Sequence, residues 1–146
     1  MKKFVFSLEK VLRYKRQILG MHKNELARLQ AAHTELEEEI TGLEREFGSL
    51  NQDLAGKLKA GMDPRNMAVY KVYLAKLNGR VRVLFEQKQE LLKQIQAKQK
   101  EIVRMNSGIS GLERLRDKQY GEYMAQDRKE QEKFIEEFVG RKNAAE

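Results

Sequence analysis

His22 and His33 are the only two histidines in a chain without cysteine, so they are its only side chains suited to proton transfer near neutrality and its only imidazole metal ligands. On a helix their spacing puts them on a similar face, where a metal site could begin. A closed site needs about four ligands, and no further group clusters with this pair. Polar steps that fix register in an apolar stripe account for both residues more simply. Glu37, Glu38 and Glu39 are consecutive, so they fan around a helix and do not converge as an acid–base pair. No G-x-x-x-x-G-K-[ST] loop, G-x-S-x-G elbow or H-E-x-x-H pair occurs. The inventory predicts no enzyme, no cofactor and no metal.

What remains is the chemistry of contact, and long helices must position it. From Tyr70 the chain steps by four and three through Leu74, Leu77, Val81, Leu84, Lys88, Leu91, Ile95, Lys98, Ile102, Met105, Ile109 and Leu112. Only the two lysines interrupt this apolar ladder. Repetition every 3.5 residues or so keeps one stripe of a helix against a partner helix. A second ladder runs through Leu8, Leu12, Lys15, Leu19, His22, Leu26, Leu29, His33, Leu36, Ile40, Leu43, Phe47, Leu50 and Leu54. Phe4, Val11, Tyr14 and Ile18 are expected to widen it at the N-terminal end. Tyr73 and Phe85 fall off the ladder; an aromatic with an apolar face and a wet edge is a common interface anchor, so Tyr73 is a candidate contact.

Between the ladders, Gly61 suits the residue just past a helix, Asp63 an N-cap and Pro64 a first helical position. The expectation is an all-α fold of one coiled-coil domain: helix 1 over about 5–58 with Ser7 as its cap, a turn over about 59–64, helix 2 over about 65–139 and a tail over 140–146. Lys10 stands where a capping box would need an acid or amide. A connection this short makes the helices antiparallel, with position i opposite about 122 − i. Helix 2 then outruns helix 1, leaving residues beyond about 116 without a partner in the chain. Leu115, Tyr120, Tyr123, Met124, Phe134, Ile135 and Phe138 sit there among Lys, Glu and Gln, and this amphipathic overhang is the best candidate for a docking site. Two glycines within Met105–Gly111 mark a weak spot, expected to fray locally or to act as a hinge.

Charge supports the hairpin. Of 146 residues 35 % are charged, and the formal net charge of +7 is unevenly placed. Counted from the sequence, residues 1–23 sum to +6, 24–56 to −6, 57–104 to +8 and 105–146 to −1. Folding about residue 61 sets the acidic block against the basic one, whereas a parallel homodimer would set acid on acid; a monomer is expected. No apolar run approaches the roughly 18 residues of a membrane span, and the opening apolar run is too short for a signal peptide; cytoplasmic residence is expected.

Three stretches resemble the flagellar export protein FliJ family. They are Phe4-Val5-Phe6-Ser7-Leu8-Glu9-Lys10-Val11-Leu12-Arg13-Tyr14-Lys15, then Asn66 to Leu77, and Leu112-Glu113-Arg114-Leu115-Arg116-Asp117-Lys118-Gln119-Tyr120 with Gln126-Asp127-Arg128 and Lys133-Phe134-Ile135-Glu136-Glu137. The resemblance implies a long antiparallel two-helix coiled coil with an overhanging C-terminal helix, similar to the stalk subunit of rotary ATPases. It implies a non-enzymatic part of flagellar type III export, held peripherally at the cytoplasmic membrane. Its chain ends would enter the hexameric export ATPase through Leu8, Leu12, Leu115, Arg116, Gln119, Tyr120 and Tyr123. Leu43, Leu50, Tyr73 and Leu77 would meet the cytoplasmic domain of the export gate, and export chaperones would be further partners. Glu46 and Arg80 depart from the pattern expected of the gate surface. Two rival readings are a stalk of a virulence-type secretion system and a basic coiled coil binding nucleic acid or anionic membrane. The latter requires a Lys/Arg face left free after pairing.

Overall fold

A computed structural model describes residues 2–145. It is all-α: α1 spans Glu9–Ala60 and α2 spans Pro64–Ala145, packed against each other as a hairpin. The chain divides into two compact units, His22–Glu101 and Met1–Met21 with Ile102–Glu146.

In the His22–Glu101 unit every apolar ladder step is buried or half-buried. Ile40, Leu77, Leu84 and Ile95 form the driest part. The stripe is one residue wide on each helix because the 3.5-residue repeat brings only those positions to the seam. The connection follows the expected chemistry. Gly61 has φ of 90°, a left-handed conformation that a side chain would strain, and its N–H reaches Leu58 C=O at 3.3 Å. Asp63 Oδ1 accepts from Arg65 N–H (3.0 Å), and Asp63 C=O accepts from Asn66 and Met67. An N-cap followed by Pro64 therefore starts α2. Arg80 with Glu39, Lys88 with Glu37 and Lys98 with Glu25 join the basic segment to the acidic one.

The unit of both chain ends departs from expectation in five ways. First, α1 starts at Glu9, and Ser7 lies in a turn; Glu9 N–H bonds Phe6 C=O (3.1 Å) and Leu12 N–H bonds Leu8 C=O (2.9 Å). A helix continued back through residue 6 would place Phe6 roughly 200° from Leu8, off the seam. Leaving the helical path allows Phe6 to be buried. Second, the ladder step Lys15 is exposed. It lies over Gly108, where an added Cβ would come within 3.9 Å of Lys15 Nζ, so the ammonium stays wet. Third, Val11 and Tyr14 are exposed and do not widen the stripe, whereas Phe4 and Ile18 are half-buried. Fourth, Met105–Gly111 is continuous helix, neither frayed nor broken, and Ile109 within it is buried. Seam packing on Ile102, Ile109 and Leu12 outweighs the helix cost of two glycines. The helix also runs past Gly140 to Ala145, where a tail was expected.

Candidate partner-binding surfaces

Residues 2–6 precede α1 as a non-helical arm alongside α2. The Phe4 ring meets Tyr120 edge-on at 5.2 Å between centroids and Tyr123 at 5.5 Å, and the two tyrosines are 6.3 Å apart. Tyr123 hydroxyl donates to Lys2 C=O at 2.7 Å. Arg116 Nε lies 3.6 Å from Glu9, and Arg16 bonds Glu113 at 2.9 Å. Pairing within the chain thus extends to Tyr123, beyond the limit near residue 116 that helix lengths alone imply. A period-based reading cannot see the arm, because it has no helical repeat.

This arrangement sorts the residues expected to meet an ATPase ring. Leu12 is fully buried and Leu8 half-buried at the end of the hairpin. Gln119 and Tyr123 are half-buried. Leu115, Arg116 and Tyr120 remain accessible. A larger exposed surface lies further on, where the sequence places an amphipathic overhang. Phe134 (69 % exposed), Ile135, Phe138 and Val139 occupy adjacent helical positions beyond the arm, and Met124 stands one side of the tyrosines.

The residues expected to meet an export gate separate similarly. Leu77 is buried in the seam, and Leu43 and Leu50 are half-buried there. Tyr73 is exposed on the flank of α2, and its hydroxyl donates to Glu46 Oε1 at 2.7 Å. That bond raises the phenol pKa, because the Glu46 carboxylate favours the protonated hydroxyl. Glu46 and Arg80 are thus the flank partners of Tyr73 and Glu39. Tyr70 joins the turn end of the seam, donating to Asp53 (2.6 Å) with Lys57 against it. The Tyr70 hydroxyl holds the Asp53 carboxyl below its usual range.

Both histidines occupy polar layers of the seam, each near an α2 lysine. Lys98 Nζ donates to His22 Nδ1 (3.0 Å) and Glu25 Oε2 (2.7 Å), with Glu101 at 3.6 Å. The Lys98 ammonium lowers the Glu25 pKa by hydrogen bond and charge, and Glu25 raises that of Lys98. Glu37 lies 3.7 Å from His33 Nδ1 and 3.3 Å from Lys88. Among the described residues no group of three or more His, Asp or Glu is placed to hold a metal ion. No helix in that range is long and apolar enough to cross a membrane.

A family model described as Flagellar FliJ protein matches residues 4–145. No curated protein and no solved structure matches the chain.

Proposed function

The chain belongs to the flagellar FliJ family, a membership that implies a non-catalytic component of the flagellar export apparatus, and from that premise we propose that it serves as the stalk and adaptor of the export ATPase. The two chain ends, joined by the Phe4–Tyr120–Tyr123 cluster, would enter the hexameric ring. Leu115, Arg116 and Tyr120 offer direct contact there, while Leu8 and Leu12 hold the end together from inside. The observation that carries this reading is the cluster of exposed apolar side chains at Phe134, Ile135, Phe138 and Val139. Large apolar surface of this kind on an otherwise charged helix marks a docking site. Tyr73 would approach the cytoplasmic domain of the export gate at the membrane, and export chaperones would exchange on the same adaptor.

The test is ATP hydrolysis by the cognate export ATPase with and without the full chain. Stimulation by the chain and its loss with Phe134→Glu/Phe138→Glu supports the stalk reading, because both positions are exposed and the hairpin does not depend on them. Equal rates with and without the chain, on an ATPase shown to form rings, refute it.

A further inference from the structure

Residues 64–85 contain five cations (Arg65, Lys71, Lys76, Arg80 and Arg82) and no acid. This α2 segment is apolar on both sides. Its inner side supplies the seam, and its outer side carries Val69 (67 % exposed), Val72 (60 % exposed) and Val83. Arg65, Val69, Val72, Lys76 and Val83 keep the four-and-three rhythm, displaced by two residues from the seam, so they share the face turned away from α1. Hairpin pairing takes Arg80, which bonds Glu39. Among the described residues the other four cations form no ion pair with an acid, although the acidic block of α1 packs on this same helix. A helix that is hydrophobic all round, cationic and free of acid is incomplete without an apolar, anionic surface against it.

We infer that the outer face of α2 between Arg65 and Val83 lies on an anionic lipid surface. The face is open, with a hollow bounded by Ala68, Val69, Val72, Tyr73 and Lys76 that lies wide to solvent. A bilayer surface fits that shape. Valines enter the boundary of the acyl region, and the cationic heads reach back to lipid phosphates along their apolar stems. The acids that pack on this segment from α1, Glu39, Glu46 and Asp53, are held by Arg80, Tyr73 and Tyr70. The proposal does not depend on the export reading, since it concerns the bare chain and lipid.

The experiment is co-sedimentation of the full chain with vesicles of phosphatidylcholine containing about 30 % phosphatidylglycerol, and with phosphatidylcholine alone. Partition into the anionic vesicles is expected to exceed that into neutral ones by at least tenfold or so, and to collapse in about 0.5 M salt. Arg65→Ala/Lys76→Ala should lower it about thirtyfold, two cations at roughly fivefold each. Val72→Asp should lower it as well, with helicity by circular dichroism unchanged. Lys118→Ala/Lys129→Ala, outside the segment, should leave it as it was. Equal binding to both vesicle types, or equal loss with the Lys118/Lys129 variant, overturns the inference. Retention on immobilised polyglutamate with none on anionic vesicles also overturns it, in favour of an acidic protein partner.

Discussion

Leu84→Ala and Val83→Ala, substitutions at adjacent residues, should differ severalfold in cost. Leu84 is 1 % exposed and Val83 45 % exposed. Shortening leucine to alanine removes three carbons, about 2.4 kcal/mol at about 0.8 per buried carbon. The cavity left in the seam adds to this, within the roughly 2–5 kcal/mol seen for such truncations. A seam of two helices can close partly over the gap, so we expect a value near 3 kcal/mol, at the lower side of that range. Shortening Val83 removes two carbons, only about half of whose surface is covered, or about 0.9 kcal/mol. Alanine's better helix propensity returns about 0.5 of that and leaves about 0.4 kcal/mol. With a urea slope near 2 kcal/mol per molar, the midpoints should fall by about 1.5 M for Leu84→Ala and about 0.2 M for Val83→Ala. Urea titration followed by helical circular dichroism reads both, and unchanged slopes license the comparison. If the two midpoints fall equally, Leu84 does not face α1 and the seam assigned to α2 is wrong.

The turn and the polar layers make further predictions. Gly61→Ala should destabilise by about 1–2 kcal/mol in the same titration, because Gly61 has φ of 90° although nothing within 4 Å obstructs a Cβ. A loss below a few tenths would show that the left-handed turn is not required. Glu25 has its pKa lowered by Lys98 in the fold, so its contribution is complete above its ordinary titration range and vanishes as pH falls through the lowered value. Glu25→Gln should therefore flatten the acid limb of a stability-against-pH curve while leaving its alkaline side nearly unchanged; an unaltered acid limb would refute the linkage. Tyr73 has the opposite sign: its raised pKa means stability that is present below the ordinary phenol range and lost as pH rises through the raised value. Tyr73→Phe should accordingly weaken the alkaline loss, as measured by denaturation at stepped pH.

Much of the fold was legible because a seam is a periodic object. The thirteen steps from Tyr70 to Leu112 are all buried or half-buried, lysines included, since period alone decides which side faces α1. Gly61, Asp63 and Pro64 were equally legible, each having a local conformational reason for its place. Lys15 was misread because its exposure depends on Gly108, a residue distant in sequence that offers no side chain to pack against. The arm at residues 2–6 was invisible for a related reason: Phe4 finds Tyr120 and Tyr123 without any repeat to announce them. The candidate surfaces were half legible. Period assigned Leu12 and Leu77 correctly to ladders, and a ladder position is by construction an inward one, so both are buried in the seam.

The bond between Tyr123 hydroxyl and Lys2 carbonyl spans 121 residues of sequence. Lys2 thus waits for a residue made 121 positions later before its arm can settle. At synthesis rates of about 5–20 residues per second, the interval is on the order of ten seconds. The His22–Glu101 unit, closed by a connection of a few residues, can zip outward from Gly61 as soon as its own strand of sequence has emerged. Phe4 spends that interval without its Tyr120 and Tyr123 contacts, which makes the arm the segment most in need of a holding chaperone.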